Sequence, residues 1–355
     1  MWSFRTLGAH LGGFTVTGTK TRSFLFDNMK ALLIFLVVSA HFIRVRGGFA
    51  ADDIGGIYYV TAFSFMMQGF FFISGYFSKN TKKCHKTAVR TFLYPFVFFT
   101  IVMYFVRYAV FGQATLDLLV PSFGMWFFLA MFVYRYSIDY LSDIRLSIPL
   151  SVAAFLAASC FSFIGPTLAL GRILSFFLFF IVGYSFDKDK IQKIRSIHKG
   201  WAVLAAIFLL AVIWLMTIGC KVPVNVWHLK SSMGHYGYDC VSGILLRLIT
   251  VCIAFLWIFI LIILMPDKQT VLTQIGQCTL PVFVLHIPIR YIIQEYSLPG
   301  NGNLFSCILS MILAVITVYL LSRPVVSRIF DQVLDSVYEL LLKIFSVFRK
   351  KSEQQ

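Results

Sequence analysis

Asp27-Asn28-Met29-Lys30-Ala31-Leu32-Leu33-Ile34-Phe35-Leu36-Val37-Val38-Ser39-Ala40-His41 is the stretch on which the reading of this chain turns. From Ala31 onward it is almost wholly apolar, and with Phe42 and Ile43 it makes the first membrane-length run, 28–44. Lys30 and His41 are eleven residues apart, which is three helical turns. They therefore share a face, about 16 Å apart along the axis. Ionisable groups on a spanning helix are costly in lipid and face a bundle interior or a watered cavity, where they mark sites. Asp27 and Lys30 stand at i and i+3 and can pair. Arg44, one turn past His41, extends the polar stripe.

The whole chain matches that segment. Of 355 residues, 59% are hydrophobic, 17% aromatic and only 13% charged, with mean hydropathy +0.83. A water-soluble domain is about a quarter charged, so this composition belongs to an integral membrane protein. The net charge of +16 does not point to nucleic acid, because the basic residues sit in short loops between apolar runs. There, topology and anionic lipid account for them. The seven cysteines show no metal or redox spacing. Cys220 and Cys240 share one loop and are the pair that could bridge. Residues 1–23 are polar, glycine-rich and mildly basic, without the apolar core of a cleaved signal.

Apolar runs predict an all-α bundle of about ten transmembrane helices, near 28–44, 55–77, 91–111, 123–140, 146–164, 172–186, 201–219, 243–265, 279–294 and 304–322. The fourth, sixth and ninth are short for a hydrocarbon layer of about 30 Å. All Lys and Arg except Arg44, Arg46, Arg107, Arg172, Lys221, Lys230, Arg247 and Arg290 then fall on one side, together with both termini. Cytoplasmic loops carry the Lys/Arg excess, which predicts both termini cytoplasmic. The expected organisation is a cytoplasmic tail (1–23), a membrane domain (24–323), and a C-terminal amphipathic helix with a basic tail (324–355). After Pro324, apolar residues recur at 325, 326, 329, 330, 333, 334 and 337 onward, the spacing of a helix lying in the interface.

Other segments carry possible chemistry. Ser74-Gly75-Tyr76 closes the second apolar run with small residues among aromatics, a pattern that helix packing also explains. Lys79, Lys82, Lys83, Lys86 and Arg90 cluster before Pro95 and could hold phosphates, although topology explains the first three. Trp126 and Arg172 each open an apolar run, and Trp126 could equally be an interface anchor. His286 is a second histidine inside an apolar run, where packing is its plain role. The long loop 219–242 holds Trp227, His228, His235, Tyr236 and Tyr238, which could stack on sugar rings or anchor at the lipid interface.

Taken in order, Asp27-Asn28-x-Lys30-x10-His41, Phe71-Phe-Ile-Ser74-Gly75-Tyr76, Arg90-x4-Pro95, Trp126-Phe-Phe-Leu129, Arg172…Gly183-Tyr184 and Gly276…Leu285-His286 resemble the membrane-bound acyltransferase family 3. The likeness is strongest to its fucose 4-O-acetylase-like branch of surface-polysaccharide O-acetyltransferases, and it runs from Arg22 to about Arg323. It implies transfer of an acyl group, usually acetyl from cytoplasmic acetyl-CoA, to a hydroxyl of a carbohydrate acceptor. The setting it implies is a bacterial inner (plasma) membrane, with no metal needed. It makes His41 the catalytic histidine. It puts Lys30, Lys86 and Arg90 at the acyl-CoA phosphates, and Asp27, Arg44, Ser74, Trp126, Arg172 and His286 in supporting or acceptor-binding places. Thr87 stands where the family commonly has an arginine, and Lys86 would substitute one residue out of register. The soluble esterase-like domain fused to some members of the family is not expected here.

On this reading His41 is the general base on the acceptor hydroxyl, or a transient acyl carrier. Asp27 lies too far along the helix to orient its ring, which leaves Ser74 or a backbone carbonyl as the expected partner. The rival from another class is a transporter or flippase for a glycan or small solute, although no paired halves are evident. A third reading is a non-catalytic scaffold. The sequence does not give an oligomeric state.

Overall fold

A computed structural model describes residues 23–44, 54–121, 123–296 and 304–352. The expected N-terminal tail lies outside these residues, apart from Ser23. The described chain is all α-helical: α1 Phe24–Ile43, α2 Ile54–Phe63, α3 Met66–Tyr76, α4 Thr81–Ala88, α5 Tyr94–Phe111, α6 Trp126–Ser137, α7 Ile144–Cys160, α8 Leu170–Ser185, α9 Lys188–Arg195, α10 Lys199–Trp214, α11 Cys240–Leu264, α12 Val271–Gln277, α13 Thr279–Glu295, α14 Leu304–Leu321 and α15 Pro324–Ser352. Each expected span contains helix. Among the described residues seven stretches are long and apolar enough to cross a membrane, eight if α12 and α13 count as one bent span. Expected spans four and five correspond to α6 and α7, of 12 and 17 residues. At 1.5 Å per residue α6 is only about 18 Å long.

The first apolar helix sits at the centre. Because the middle of α1, Ala31–Val38, is hydrophobic on every side, it must be enclosed, and α1 packs against α2, α3, α11, α12, α13 and α14. Leu33, Ile34, Val37, Val38, Ala40 and Phe42 are fully buried. By contrast α10 turns Trp201, Leu204, Ile207 and Phe208 outward, as a lipid-facing helix does. Its sequence is equally apolar, so position and not composition separates the two.

Two breaks shape the core. Ser64 and Phe65 interrupt the second span between α2 and α3. The freed carbonyls there are taken by side chains: Ser64 donates to Thr61 O (2.7 Å) and Gln68 to Phe63 O (3.2 Å). The other break is a 77° bend between α12 and α13. There α12 lies so close to α1 that a Cβ on Gly276 would overlap the Asp27 carbonyl. Asn28 secures the approach. It donates to the carbonyls of Pro266 (2.8 Å) and Lys268 (3.0 Å) and accepts from the Thr270 and Thr273 hydroxyls at 2.8 Å each.

The Ser74-Gly75 step serves packing. A Cβ on Gly75 would strike the Phe180 carbonyl, and one on Gly183 the Phe72 carbonyl. Backbones of α3 and α8 thus touch, the close approach that small residues allow between membrane helices.

Between α4 and α5, Val89–Leu93 forms a π-turn just ahead of Pro95, which cannot donate to the residue four before it. The turn aims Arg90 at α15, where it meets Asp335 at 3.1 Å and Glu339 at 3.8 Å. Phe330 stacks on Phe99, and the Tyr94 hydroxyl donates to the Leu334 carbonyl. One side of α15 is therefore docked on α5, while Val325, Ile329 and Val333 remain exposed, as an interfacial amphipathic helix requires.

The disulfide differs from the expected pair. Cys160 ends α7, Cys240 begins α11, and these two are bonded; Cys220 is free and exposed. Asp239 caps α11 by accepting from Val241 N and Ser242 N, which fixes Cys240 at the helix start beside α7. Cys220 instead stays at the opposite end of the loop. In non-reducing denaturant, five of the seven cysteines should react with a thiol reagent, and Cys160→Ser should raise the count by freeing Cys240. A count of seven without reductant would refute the bridge.

Asp331, half-buried and beside Asp335, is pushed up from 3.8 to about 6, first by burial and then by that neighbour's charge. Its charged form is the disfavoured one. Docking of α15 should therefore be tightest below about pH 4 and weaken as pH rises through about 6. Hydrogen exchange over α15 at the two ends of that range should show the difference, and Asp331→Asn should abolish it. An unchanged pH response in the variant would count against this cause.

Candidate active site

A cavity of about 130 Å³ lies beside the deep end of α1 and is lined by His41 among other residues. Phe63, Met66 and Met67 reach it because the chain is broken between α2 and α3; Trp126 comes from α6, Arg172 from α8, and His228 from the loop before α11. The expected residues His41, Trp126 and Arg172 thus meet at one place.

His286 joins them from behind. Its Nε2 lies 3.0 Å from His41 Nδ1, the rings are stacked with centroids 5.2 Å apart, and its own Nδ1 lies 3.0 Å from the Val282 carbonyl. A carbonyl only accepts, so His286 carries its proton on Nδ1 and, when neutral, offers a lone pair at Nε2. His41 must then donate from Nδ1. That leaves a lone pair on His41 Nε2, the form a general base needs. Phe123, edge-on to His41 at 4.5 Å, closes one side.

Positive groups surround this pair. Arg172 lies over the Trp126 ring at 4.5 Å, and Arg290 over Phe123 at 4.4 Å. Arg290 also donates to Gln294 at 2.9 Å. The Nε of each guanidinium is buried without a partner among the described residues. Arg44 lies over the Tyr59 ring at 4.8 Å and reaches His228 Nε2 at 3.3 Å. Guanidinium only donates, so that nitrogen is an acceptor, and the Tyr59 hydroxyl meets it at 2.8 Å. Burial, followed by the charges of Arg172, Arg44 and Lys230, holds His228 well below the ordinary imidazole value. It is therefore neutral near pH 7. No carboxylate lines the cavity among the described residues.

The remaining predicted residues lie elsewhere. Lys30 is buried and paired with Asp27 at 2.9 Å near the start of α1. Lys86 is exposed on α4, and Arg90 is engaged by α15. Ser74 sits at the α3–α8 crossing, on the half of α3 that ends with Tyr76 against Phe26; the ring partner of His41 is His286. Among the described residues no group of three or more His, Cys, Asp or Glu could hold a metal ion.

Sequence reading missed Tyr59, Arg290 and the structural place of His228. Arg290 follows His286 by four residues, one helical turn, and that spacing was a usable signal. Tyr59 offered none, since its role depends on a loop far along the chain.

The sequence model of the acyltransferase 3 family, described as an acyltransferase domain, matches residues 25–323. No curated protein and no solved structure matches the chain. The match begins at the foot of α1 and ends at the start of α15, enclosing both histidines and every wall of the cavity: the chain belongs to the acyltransferase 3 family and is a membrane acyltransferase.

Proposed function

We propose that the protein is an O-acyltransferase moving an acyl group, acetyl by preference, from acyl-CoA to a hydroxyl of a surface or secreted glycan, as in the fucose 4-O-acetylase-like branch. The observation that carries this reading is the hydrogen-bond chain from His41 to His286 to the Val282 carbonyl, which leaves His41 Nε2 as an unprotonated acceptor facing an apolar cavity. Membership in an acyltransferase family favours transfer over transport.

In the reaction the acceptor hydroxyl gives its proton to His41 Nε2 while its oxygen attacks the thioester carbonyl. The new C–O bond forms, the C–S bond breaks, and the thiolate leaves with the proton that His41 took up. The positive charge on His41 during this step is shared with His286 through their hydrogen bond. Arg290, with an orphaned N–H group nearby, is suited to the negative charge that develops on the carbonyl oxygen.

We place both termini in the cytoplasm. The Lys/Arg distribution supports this, and so does the disulfide: Cys160 and Cys240 fall on the opposite side, and disulfides persist in oxidising compartments. Acyl-CoA then arrives at the basic face, with Lys30, Lys86 and Arg90 toward its phosphates and its arm reaching about 16 Å along α1 to His41. Because Asp335 and Glu339 already occupy Arg90, binding there would mean displacing them.

Purified protein in detergent, given acetyl-CoA and carbohydrate acceptors without any gradient, should form the acetyl ester, detected by mass spectrometry. His41→Ala should abolish it; retained activity would overturn the assignment. His286→Ala should lower kcat by about 10²-fold, and His286→Gln, whose amide oxygen can still accept from His41 Nδ1, should recover part of the loss. Equal loss in both would argue against a positioning role.

Lys30→Ala leaves the Asp27 carboxylate buried without that ion pair and should cost about 3–5 kcal/mol of stability, read as lower yield and melting temperature. The double change Asp27→Asn/Lys30→Met should restore folding. If Lys30 also holds the donor, the KM for acetyl-CoA stays raised in the double variant. A normal KM would make the pair purely structural.

A further inference from the structure

A second cavity of about 210 Å³ adjoins the first on the side away from the basic loops, and the transfer chemistry leaves it without a role. The two share Phe123, Trp126 and Arg172, so Arg172 stands in the common wall. Lys230 lines only the second cavity, together with the Gly165-Pro166 turn. Two cations thus face one space, and no carboxylate lines it among the described residues.

This lysine does not ride on an unanchored loop. Its backbone carbonyl is pressed against the start of α8, where a Cβ on Gly171 would collide with it. The next carbonyl, of Ser231, accepts from the buried Arg247 at 2.6 Å, and Cys240 ties the loop's end to α7. The preceding residue, Leu229, adopts the left-handed conformation at φ 53°, which turns the chain there. Lys230 is itself exposed at the edge of this cavity, and partial desolvation, then the charge of Arg172, pulls it below the ordinary lysine value; an anion between the two would reverse the second effect. Arg172 meanwhile lies over the Trp126 ring at 4.5 Å and keeps a buried Nε without a partner among the described residues. A guanidinium with unused N–H groups can make a two-point contact, the geometry that suits carboxylate and phosphate.

We propose that the acceptor is anionic: a carboxylate or phosphate on the acceptor is held between Arg172 and Lys230 in the second cavity while its hydroxyl reaches His41 in the first. The proposal rests on the acyl-transfer reading but concerns a different part of the substrate. The arrangement selects an acidic sugar residue or a phosphate-linked glycan over a neutral one, because a neutral acceptor would leave two facing cations uncompensated.

The test is a calorimetric titration of the intact, purified protein with methyl glucoside, its uronic acid and its 6-phosphate. The charged probes should bind about tenfold more tightly than the neutral one or better, and whichever charged probe binds more tightly identifies the anion. Lys230→Gln and Arg172→Gln should each remove that preference. Lys221→Gln, the same charge change outside the cavity in the same loop, should keep it. A charged probe that binds no better than the neutral one would overturn the proposal, as would a preference surviving in both cavity variants. Coenzyme A that competes with the charged probe in the wild type but not in Lys230→Gln would also overturn it, by showing that the site serves the donor. Since the titration contains no donor, its failure leaves acyl transfer standing. Failure of transfer to every acceptor sinks the transfer reading instead.

Discussion

A histidine in an apolar bundle has two nitrogens to satisfy, and the rest of this structure follows from how His41 satisfies one of them. The 3.0 Å contact with His286 fixes its tautomer and ring plane without bringing a carboxylate into the core. That contact demands that α13 run beside α1 at the depth of the cavity. The 77° bend after α12 sets that course, and the bend is held by Asn28 and by the absence of a side chain at Gly276. Replacing a charged partner with a neutral ring avoids the desolvation cost of a buried carboxylate. It also keeps the surroundings uniformly positive.

That uniform sign distinguishes the two ends of the molecule. At the start of α1 the cation is matched, since Lys30 has Asp27 within 2.9 Å. Around the cavity Arg172, Arg290 and Lys230 face rings, an amide and one another. The buried Nε groups of Arg172 and Arg290 have no partner among the described residues, and a bound anion would offset the clustered positive charge. The two ends of one helix therefore present opposite electrostatic problems, one solved within the protein and the other left for a substrate.

Much of the fold was legible because α1, α8, α11 and α14 are long apolar runs, and periodicity alone marks such segments. The amphipathic face of α15 was legible for the same reason. Helix count was harder, since α6 and α7 are short, at 12 and 17 residues, and length is the only local signal for a span. What escaped were pairings between distant positions. His286 joins His41 across 245 residues, and Arg90 joins Asp335 across the same separation. Cys160 joins Cys240 across 80 residues, whereas proximity within one loop suggested Cys220. Composition can mark each residue as costly where it lies, but only the packing of whole helices decides which costly residue relieves which.

The contact between the α3 and α8 backbones also has a mechanical meaning. With Gly75 against the Phe180 carbonyl and Gly183 against the Phe72 carbonyl, backbone meets backbone at two points, where no side chain can change rotamer to let the helices slide. The pair behaves as a single strut. Met66, Met67 and Phe176, which line the cavity, ride on that strut and keep their spacing. Any widening that admits a bulky acceptor therefore has to come from elsewhere in the lining, such as the Phe123-Gly124 turn. His41 thus faces a room whose α3–α8 wall is held in place by backbone contact.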